Sequence, residues 1–314
     1  MGWNGSSWTA VERFLERVAR LQDGMVTLWQ ARRAGLTVNE VHQLCRNGRW
    51  RQLSRTTYLV TPDAPEAVLR RARIRSAVTS LGPSAVAVLD TAAELHCLAG
   101  LRRSEQIHVS LPGCRARPRR LGQPELVVHQ LVVPRAHLVR VDGITVTAPL
   151  RTVADNLLVA NRYDGVSLLD SALNLGLLTD DQVPAMLPLL RGRRGAVAAR
   201  ARLAEADGRA QSPLETRVRL RCVDGRVAPE QLQHQIRDVD GYLLGVADLA
   251  WLSARLLGEA DGRGPHGGTE AIYADRRRQN ALTNAGWRIL RFTWTDTLRP
   301  DYIPWTVRQA LNRS

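Results

Sequence analysis

Lysine is absent from this chain of 314 residues, so all 44 of its basic side chains are arginine. That absence excludes a lysine Schiff base or a lysine general base and leaves only planar, permanently charged cations. A GC-rich coding bias also produces such a composition, so the absence carries no functional weight by itself. Cysteine is scarce, with Cys45, Cys97, Cys114 and Cys222 far apart and in no CxxC or metal-finger spacing. This excludes a zinc finger or a disulfide framework and leaves idle intracellular thiols as the expectation. No uninterrupted apolar run reaches about 18 residues, so no transmembrane helix is expected. The first residues lack a basic stretch followed by an apolar one, which predicts a cytoplasmic rather than a secreted chain. No internal repeat or long low-complexity tract is found.

What the chain does have is charge of one sign. Hydrophobic content of 44% with 24% charged residues fits globular domains, and the length suggests two or three of them. The net charge is +14 and the isoelectric point near 11.1, which points to a polyanionic partner, most simply nucleic acid. Half of the excess, +7, lies in residues 1–80, against +4 in 81–205 and +3 in 206–314. That asymmetry fits a small DNA-reading head on a larger body. Pro62-Asp63-Ala64-Pro65 interrupts the first periodic region, and Gly/Arg turns flank a small-residue helix across 191–208. The division read from these breaks is 1–62, 63–205 and 206–314, an α+β multidomain chain.

In the first segment Val11, Leu15, Val18 and Leu21 form the stripe of an amphipathic helix that Gly24 ends. Thr27 can cap a short second helix that Gly35 terminates. Thr37 and Glu40 form a capping box. The helix that it opens is expected to bury Val38, Val41 and Leu44 and to present Asn39, His42, Gln43, Arg46 and Asn47. Residues 50–53 and 58–60 suit two short wing strands. Helix, turn, polar helix and basic hairpin is the layout of a winged helix-turn-helix. Its outward Asn39, His42, Gln43 and Arg46 can reach base edges, and Arg49, Arg51 and Arg55 can touch phosphate. The other reading is a solvated helix face of a protein-interaction domain.

Gly24-Met25-Val26-Thr27, Gln30-Ala31, Gly35-Leu36-Thr37, Gly48-Arg49-Trp50 and residues 53–58 resemble the N-terminal domain of AbiEi-type antitoxins of type IV toxin–antitoxin systems. That family usually carries Arg-Gly before the wing aromatic, where this chain has Thr56-Thr57-Tyr58. The resemblance implies a DNA-binding repressor and a possible cognate toxin as partner. In the middle segment, 67–100 shows helical spacing, and 107–111, 126–133 and 144–147 are strand candidates with an Asp142-Gly143 turn. Residues 142–155 are similar to the second domain of the same family, which makes 63–205 an AbiEi-like α/β module. Residues 115–120 form a basic loop, and no catalytic constellation appears.

In the last segment Ser212-Pro213-Leu214-Glu215 opens a helix, which a capping box alone would explain. Residues 232–236 and 245–251 read as strands around an Asp240-Gly241 turn. Asp248 sits in an otherwise apolar strand, and Glu259 and Asp261, two apart, share a strand face. Acidic side chains on adjacent elements repel unless neutralised. A divalent ion such as Mg2+ (or Mn2+) does this with one or two carboxylates plus water and phosphate. Ordinary readings exist for each: an arginine-paired Asp248, a solvated Glu259, an Asp261-Gly262 turn residue.

Together with Asp275-Arg276-Arg277-Arg278 and Gly286-Trp287-Arg288-Ile289-Leu290-Arg291-Phe292, these motifs resemble the very-short-patch-repair (Vsr-like) endonucleases of the PD-(D/E)xK superfamily, across about 211–299. The resemblance implies a mixed sheet flanked by helices, with Asp248, Glu259 and Asp261 as metal ligands. It also implies catalytic parts for Glu215, Asp248, Glu259, Asp261 and His266. Asp261 falls where many members carry lysine, and His266 is the histidine that could act as acid or base. Arg278 and Arg291 could hold phosphate, although Arg278 could equally pair with Asp275 one turn back.

The sequence thus suggests a DNA-binding, metal-dependent endonuclease on double-stranded DNA, of bacterial defence or toxin–antitoxin type. The alternative is an AbiEi-like repressor or antitoxin whose nuclease-like domain is inactive. A protein-interaction adaptor is the third reading.

Overall fold

The computed structural model describes residues 5–113, 125–262 and 269–312. Among them are thirteen α-helices and twelve strands in three sheets, so the chain is of mixed α+β class. It divides into two compact units, one of residues 1–97 with 103–152 and one of 98–102 with 153–314. Residues 153–205, expected in the middle segment, therefore group with 206–314. No described helix is long and apolar enough to cross a membrane.

The first unit begins with α1 (Gly5–Arg20), β1 (Met25–Thr27), α2 (Leu28–Arg33), α3 (Val38–Arg46), β2 (Arg51–Ser54) and β3 (Thr57–Leu59). Both short helices start at a capping box. Thr27 exchanges hydrogen bonds with Gln30, and Thr37 does so with Glu40. Each box satisfies backbone donors that a helix start leaves open, worth about 1 kcal/mol. The strands pair antiparallel in the order β1-β3-β2. Leu15, Val26, Val41, Leu44, Trp50 and Tyr58 fill the space between sheet and helices. Val38, expected inside, is 38% exposed; as the first residue of α3 it precedes the point where the apolar stripe meets the core.

The same unit continues with α4 (Glu66–Leu81), β4 (Val86–Ala87), α5 (Leu89–Leu95), β5 (Ile107–Ser110), β6 (Leu126–His129), β7 (Leu138–Val141) and β8 (Ile144–Thr147). These five strands form a mixed sheet ordered β6-β5-β4-β8-β7, with Ile74, Ile107, Val109, Ile144 and Val146 in its core. Asp142 (φ 48°) and Gly143 (φ 82°) both take left-handed backbone, as a tight two-residue hairpin demands. Helix α4 joins the two sheets through charge: Asp23 accepts from Arg71 Nε (3.1 Å) and Arg75 Nε (2.8 Å). Ser54, Thr57, Ser76 and Ser80 link hydroxyls between the hairpin and α4 at 2.6–2.7 Å.

Helix α6 (Pro149–Leu157) runs into the second unit, which holds α7 (Arg162–Asn174), α8 (Leu187–Leu190), α9 (Ala196–Leu203) and α10 (Pro213–Asp224). It continues through β9 (Gln231–Arg237), β10 (Leu243–Trp251), β11 (Leu256–Ala260), α11 (Thr269–Asn284), β12 (Arg288–Phe292), α12 (Trp294–Thr297) and α13 (Tyr302–Leu311). The sheet order is β12-β11-β10-β9, with β11 and β12 parallel and the other pairs antiparallel. Val218, Cys222, Leu249, Trp251, Phe292 and Ile303 form the core under α10 and α13. Residues 153–205 belong here because Asp170 of α7, 1% exposed, accepts from Asp207 N, Thr216 Oγ1 and Arg219 Nη2 at 2.7–2.9 Å.

Candidate active site

Three carboxylates meet at the junction of α10, β10 and β11. Ser212 caps α10 by accepting from Glu215 N (3.2 Å), as the capping motif requires. The Glu215 carboxylate does not simply close the box. Its Oε2 accepts from Gln211 N (2.8 Å) and from Gln233 Nε2 of β9 (2.9 Å). The same Gln233 amide donates to Asp248 Oδ1 (3.2 Å), and Asp248 Oδ2 accepts from Ala260 N (2.8 Å). Gln233 thus bridges two acids, each of its two N–H groups serving one of them.

Sequence reasoning missed Gln233, and the reason is geometric. Continued without interruption, the register of Leu243 with Arg237 would place Leu232 opposite Asp248. A bulge between Leu243 and Gly245 shifts the register by one, so that Ala247 faces His234 and Leu249 faces Leu232, which brings Gln233 opposite Asp248. Gln233 holds a left-handed φ of 51°, a conformation costing about 1–2 kcal/mol for a residue with a Cβ. Such strain concentrates at functional positions.

Burial raises the carboxyls of Glu215 and Asp248 above the usual range, and neighbouring acids add to it. Asp248 raises Glu215, and Glu259 raises Asp248, against the hydrogen bonds that pull both back. Glu259 is neutralised differently. Arg278 Nη2 lies 2.7 Å from its Oε1 and Arg291 Nε 3.2 Å from its Oε2. The Arg278 contact is an ion pair without hydrogen-bond alignment, so Oε1 is a buried oxygen with no hydrogen-bond partner. Arg278 instead donates to Val246 O (2.8 Å), packed across Gly245, where a Cβ would stand 2.7 Å from Arg278 Nε. Arg291 also pairs with Asp275 (3.0 Å) and approaches Asp261 (4.0 Å). Asp261 is the exposed member, and its backbone N–H is tied to Phe292 O (2.8 Å).

Glu215, Asp248, Glu259, Asp261, Arg278 and Arg291 are therefore brought together; His266 lies outside the described residues, as do Cys114 and the basic segment 115–120. The Arg278–Asp275 alternative coexists with the Glu259 pair, at 3.9 Å. Among the described residues no three acidic, histidine or cysteine side chains converge closely enough to hold a metal ion alone. The donor set still fits an ion of the Mg2+ kind, which takes one or two carboxylates and completes its shell with water and phosphate. Glu259 Oε1, which makes no aligned hydrogen bond, is the hard oxygen such an ion would take in place of the Arg278 guanidinium.

In the first unit Asn39, His42, Gln43 and Arg46 are exposed along α3, and Arg51 and Arg55 are exposed on the β2–β3 hairpin. Arg46 Nη2 donates to Gln43 Oε1 (2.6 Å), and Gln43 Nε2 donates to Asn47 Oδ1 (3.0 Å), so this polar face is internally organised. Arg49, expected to touch phosphate, is ion-paired with Glu12 of α1.

No model of a known protein family matches the chain. It is similar in fold comparison to the crystal structure of the RV2827C protein from Mycobacterium tuberculosis, with TM-score 0.42 and 17% identity over 63% of this chain and 82% of that one. Two relatives in Mycobacterium tuberculosis, the uncharacterized proteins MT2308 (strain CDC 1551 / Oshkosh) and Rv2248 (strain ATCC 25618 / H37Rv), are each 34% identical over 235 residues. The match spans 74% of this chain and 84% of each relative, and the chain belongs to the family that these two proteins represent.

Proposed function

We propose that this chain is a DNA-binding, metal-dependent endonuclease, in which residues 1–62 act as a winged helix-turn-helix and the second unit's four-stranded sheet as a PD-(D/E)xK-like nuclease core. One observation carries the reading: Glu215, Asp248 and Glu259, from a helix and two adjacent strands, converge beside Arg278 and Arg291. The winged-helix part is supported by three helices followed by an antiparallel hairpin, with the polar residues of α3 and Arg51 and Arg55 facing solvent.

In this reading Asp248 and Glu259 would hold Mg2+ or Mn2+, which supplies Lewis-acid polarisation of a phosphoryl oxygen and a more acidic bound water. The chain's own residues do the rest. Gln233 and Ala260 N–H fix the Asp248 carboxylate in one orientation. Glu215, whose carboxyl burial raises above its ordinary value, is placed to accept a proton. Arg278 and Arg291 can exchange Glu259 for a phosphate, since a planar guanidinium matches either.

A second reading is favoured by the same arginines. Both oxygens of Glu259 already face guanidiniums, which neutralises the cluster without a metal, as in an AbiEi-like repressor or antitoxin with an inert nuclease-like domain. Supercoiled plasmid with Mg2+ or Mn2+ separates the two readings. Nicking by the native chain that disappears in Asp248→Asn and Glu259→Gln supports the endonuclease; nicking that survives both substitutions sinks the site. Tight duplex binding with no nicking across metals and substrates selects the repressor. In either case Arg46→Ala with Arg51→Ala weakens duplex binding and flattens its salt dependence, and unchanged affinity removes the winged helix from the reading.

A further inference from the structure

Helix α10 has a second chemical face. Residues two apart on a helix do not share a side, and while Glu215 points into the acidic cluster, Arg217 and Arg221 point to aromatic rings. The Arg217 guanidinium is stacked between Tyr163 (4.6 Å to the ring centre) and Trp294 (4.9 Å), and Arg221 lies 4.7 Å from the same tyrosine ring. Arg162, from the start of α7, lies 5.6 Å from that ring. Stacking satisfies the flat faces of a guanidinium and leaves its N–H edge in need of an anion.

The charge balance around these edges is incomplete. Arg162 is matched, pairing with Glu205 (2.6 Å) and Asp224 (2.7 Å), and Asp224 also accepts from Tyr163 OH (2.9 Å). Among the described residues Arg217 has only Asp164, at 3.5 Å, and its buried Nε has no hydrogen-bond partner. Arg221 donates Nε and Nη2 to Thr297 O (3.0 and 2.8 Å) and has no ion pair among the described residues. Arg102 is exposed, likewise has no ion pair among the described residues, and lies within electrostatic reach of Arg217. Of these three guanidiniums only Arg217 has a carboxylate among the described residues. Burial pushes the Arg217 cation down, and Arg221 and Arg102 add to this against the pull of Asp164. Three cations gathered at a partly buried edge, beside a tryptophan ring that is 45% exposed, make a place for an anion carried on a flat group.

We propose that Arg102, Arg217 and Arg221 form a phosphate-binding site, with Trp294 as the stacking platform for the base attached to that phosphate. The ligand class is a 5′-nucleotide, free or as the phosphorylated end of a nucleic-acid strand. The site does not depend on the endonuclease reading, so Asp248→Asn and Glu259→Gln leave it intact.

Calorimetric titration of the full chain tests it with inorganic phosphate, 5′-AMP, and a short single-stranded oligonucleotide bearing either a 5′-phosphate or a 5′-hydroxyl. Binding of 5′-AMP more tightly than inorganic phosphate identifies a free nucleotide as sufficient. Binding only of the 5′-phosphorylated oligonucleotide identifies the strand end. Either preference should fall at least tenfold in Arg102→Glu, a surface change that spares the fold, and in Arg217→Lys, which keeps charge but loses the planar fork. Trp294→Ala should erase the advantage of the nucleotide over inorganic phosphate while leaving phosphate binding. The proposal is overturned by equal binding of the 5′-phosphate and 5′-hydroxyl strands together with no binding of AMP or phosphate. Affinities unchanged in Arg102→Glu and Trp294→Ala overturn it as well.

Discussion

Replacing Asp23 by asparagine isolates the charge that ties the β1 turn to α4. Asp23 accepts from Arg71 Nε at 3.1 Å and from Arg75 Nε at 2.8 Å. The Arg75 side chain is only 8% exposed and those of Asp23 and Arg71 16% and 29%. Arg75 also donates to Asp142 O (2.8 Å), a neutral acceptor. Asparagine keeps the volume and tolerates the left-handed backbone of residue 23 (φ 54°), so little but charge changes. Removing one partner of a buried ion pair costs about 3–5 kcal/mol; the residual water access of Asp23 and Arg71 reduces this to about 2–4 kcal/mol. For a unit of this size that lowers Tm by about 5–15 °C. Urea titration and scanning calorimetry of the full chain measure it. In an Arg75→Met background the same substitution should cost much less, since the stranded cation is then gone. A loss below about 0.5 kcal/mol, or strictly additive costs in the double variant, would refute the idea that Asp23 compensates a buried guanidinium.

Further outcomes follow from the second unit and the thiols. Gly195 has φ +87°, and a Cβ there would stand 2.2 Å from Leu158 O; Gly195→Ala should cost more than about 2 kcal/mol, and a urea midpoint like that of the native chain would contradict the contact. Because burial raises Glu215 and Asp248 in the folded state, their contribution to stability is fullest below the ordinary carboxylate range and is lost as pH rises through the raised values. Glu215→Gln should therefore flatten the decline in stability as pH rises above the ordinary carboxylate range, and any nicking activity should gain its acid limb above that range. An unchanged profile in the variant would show that Glu215 is not the group responsible. The buried Cys222 thiol is pushed up to about 12, whereas Cys97 is exposed; a thiol reagent should modify Cys97 in the native chain and Cys222 only after denaturation, and native labelling of Cys222 would disprove its burial.

Local hydrogen bonding was readable from the residues in order. The Thr37–Glu40 box, the Thr27 cap, the Ser212 cap and the Asp142-Gly143 turn each involve groups within a few positions, and each forms as read. The strands read at 50–53, 58–60, 107–111 and 245–251 form at 51–54, 57–59, 107–110 and 243–251. Strand β1, three residues long, could not be read that way, because its partner Thr57–Leu59 lies some thirty positions away and a short edge segment has no period of its own.

The candidate site divides along the same line. The sequence by itself determined which residue types could act: acids at 215, 248, 259 and 261, arginines at 278 and 291, and no lysine anywhere. Only the tertiary structure decided how they are poised. A single bulge turned Gln233 rather than Leu232 toward Asp248, and the parallel pairing of β11 with β12 set Glu259 beside Arg291. The positive charge is likewise sorted in space: Arg49, Arg71 and Arg75 are consumed by Glu12, Asp23 and Asp142, while Arg102 and Arg221 are left without a carboxylate among the described residues. Composition counts charges, but Coulomb energy depends on distance and burial, and those are properties of the folded chain alone.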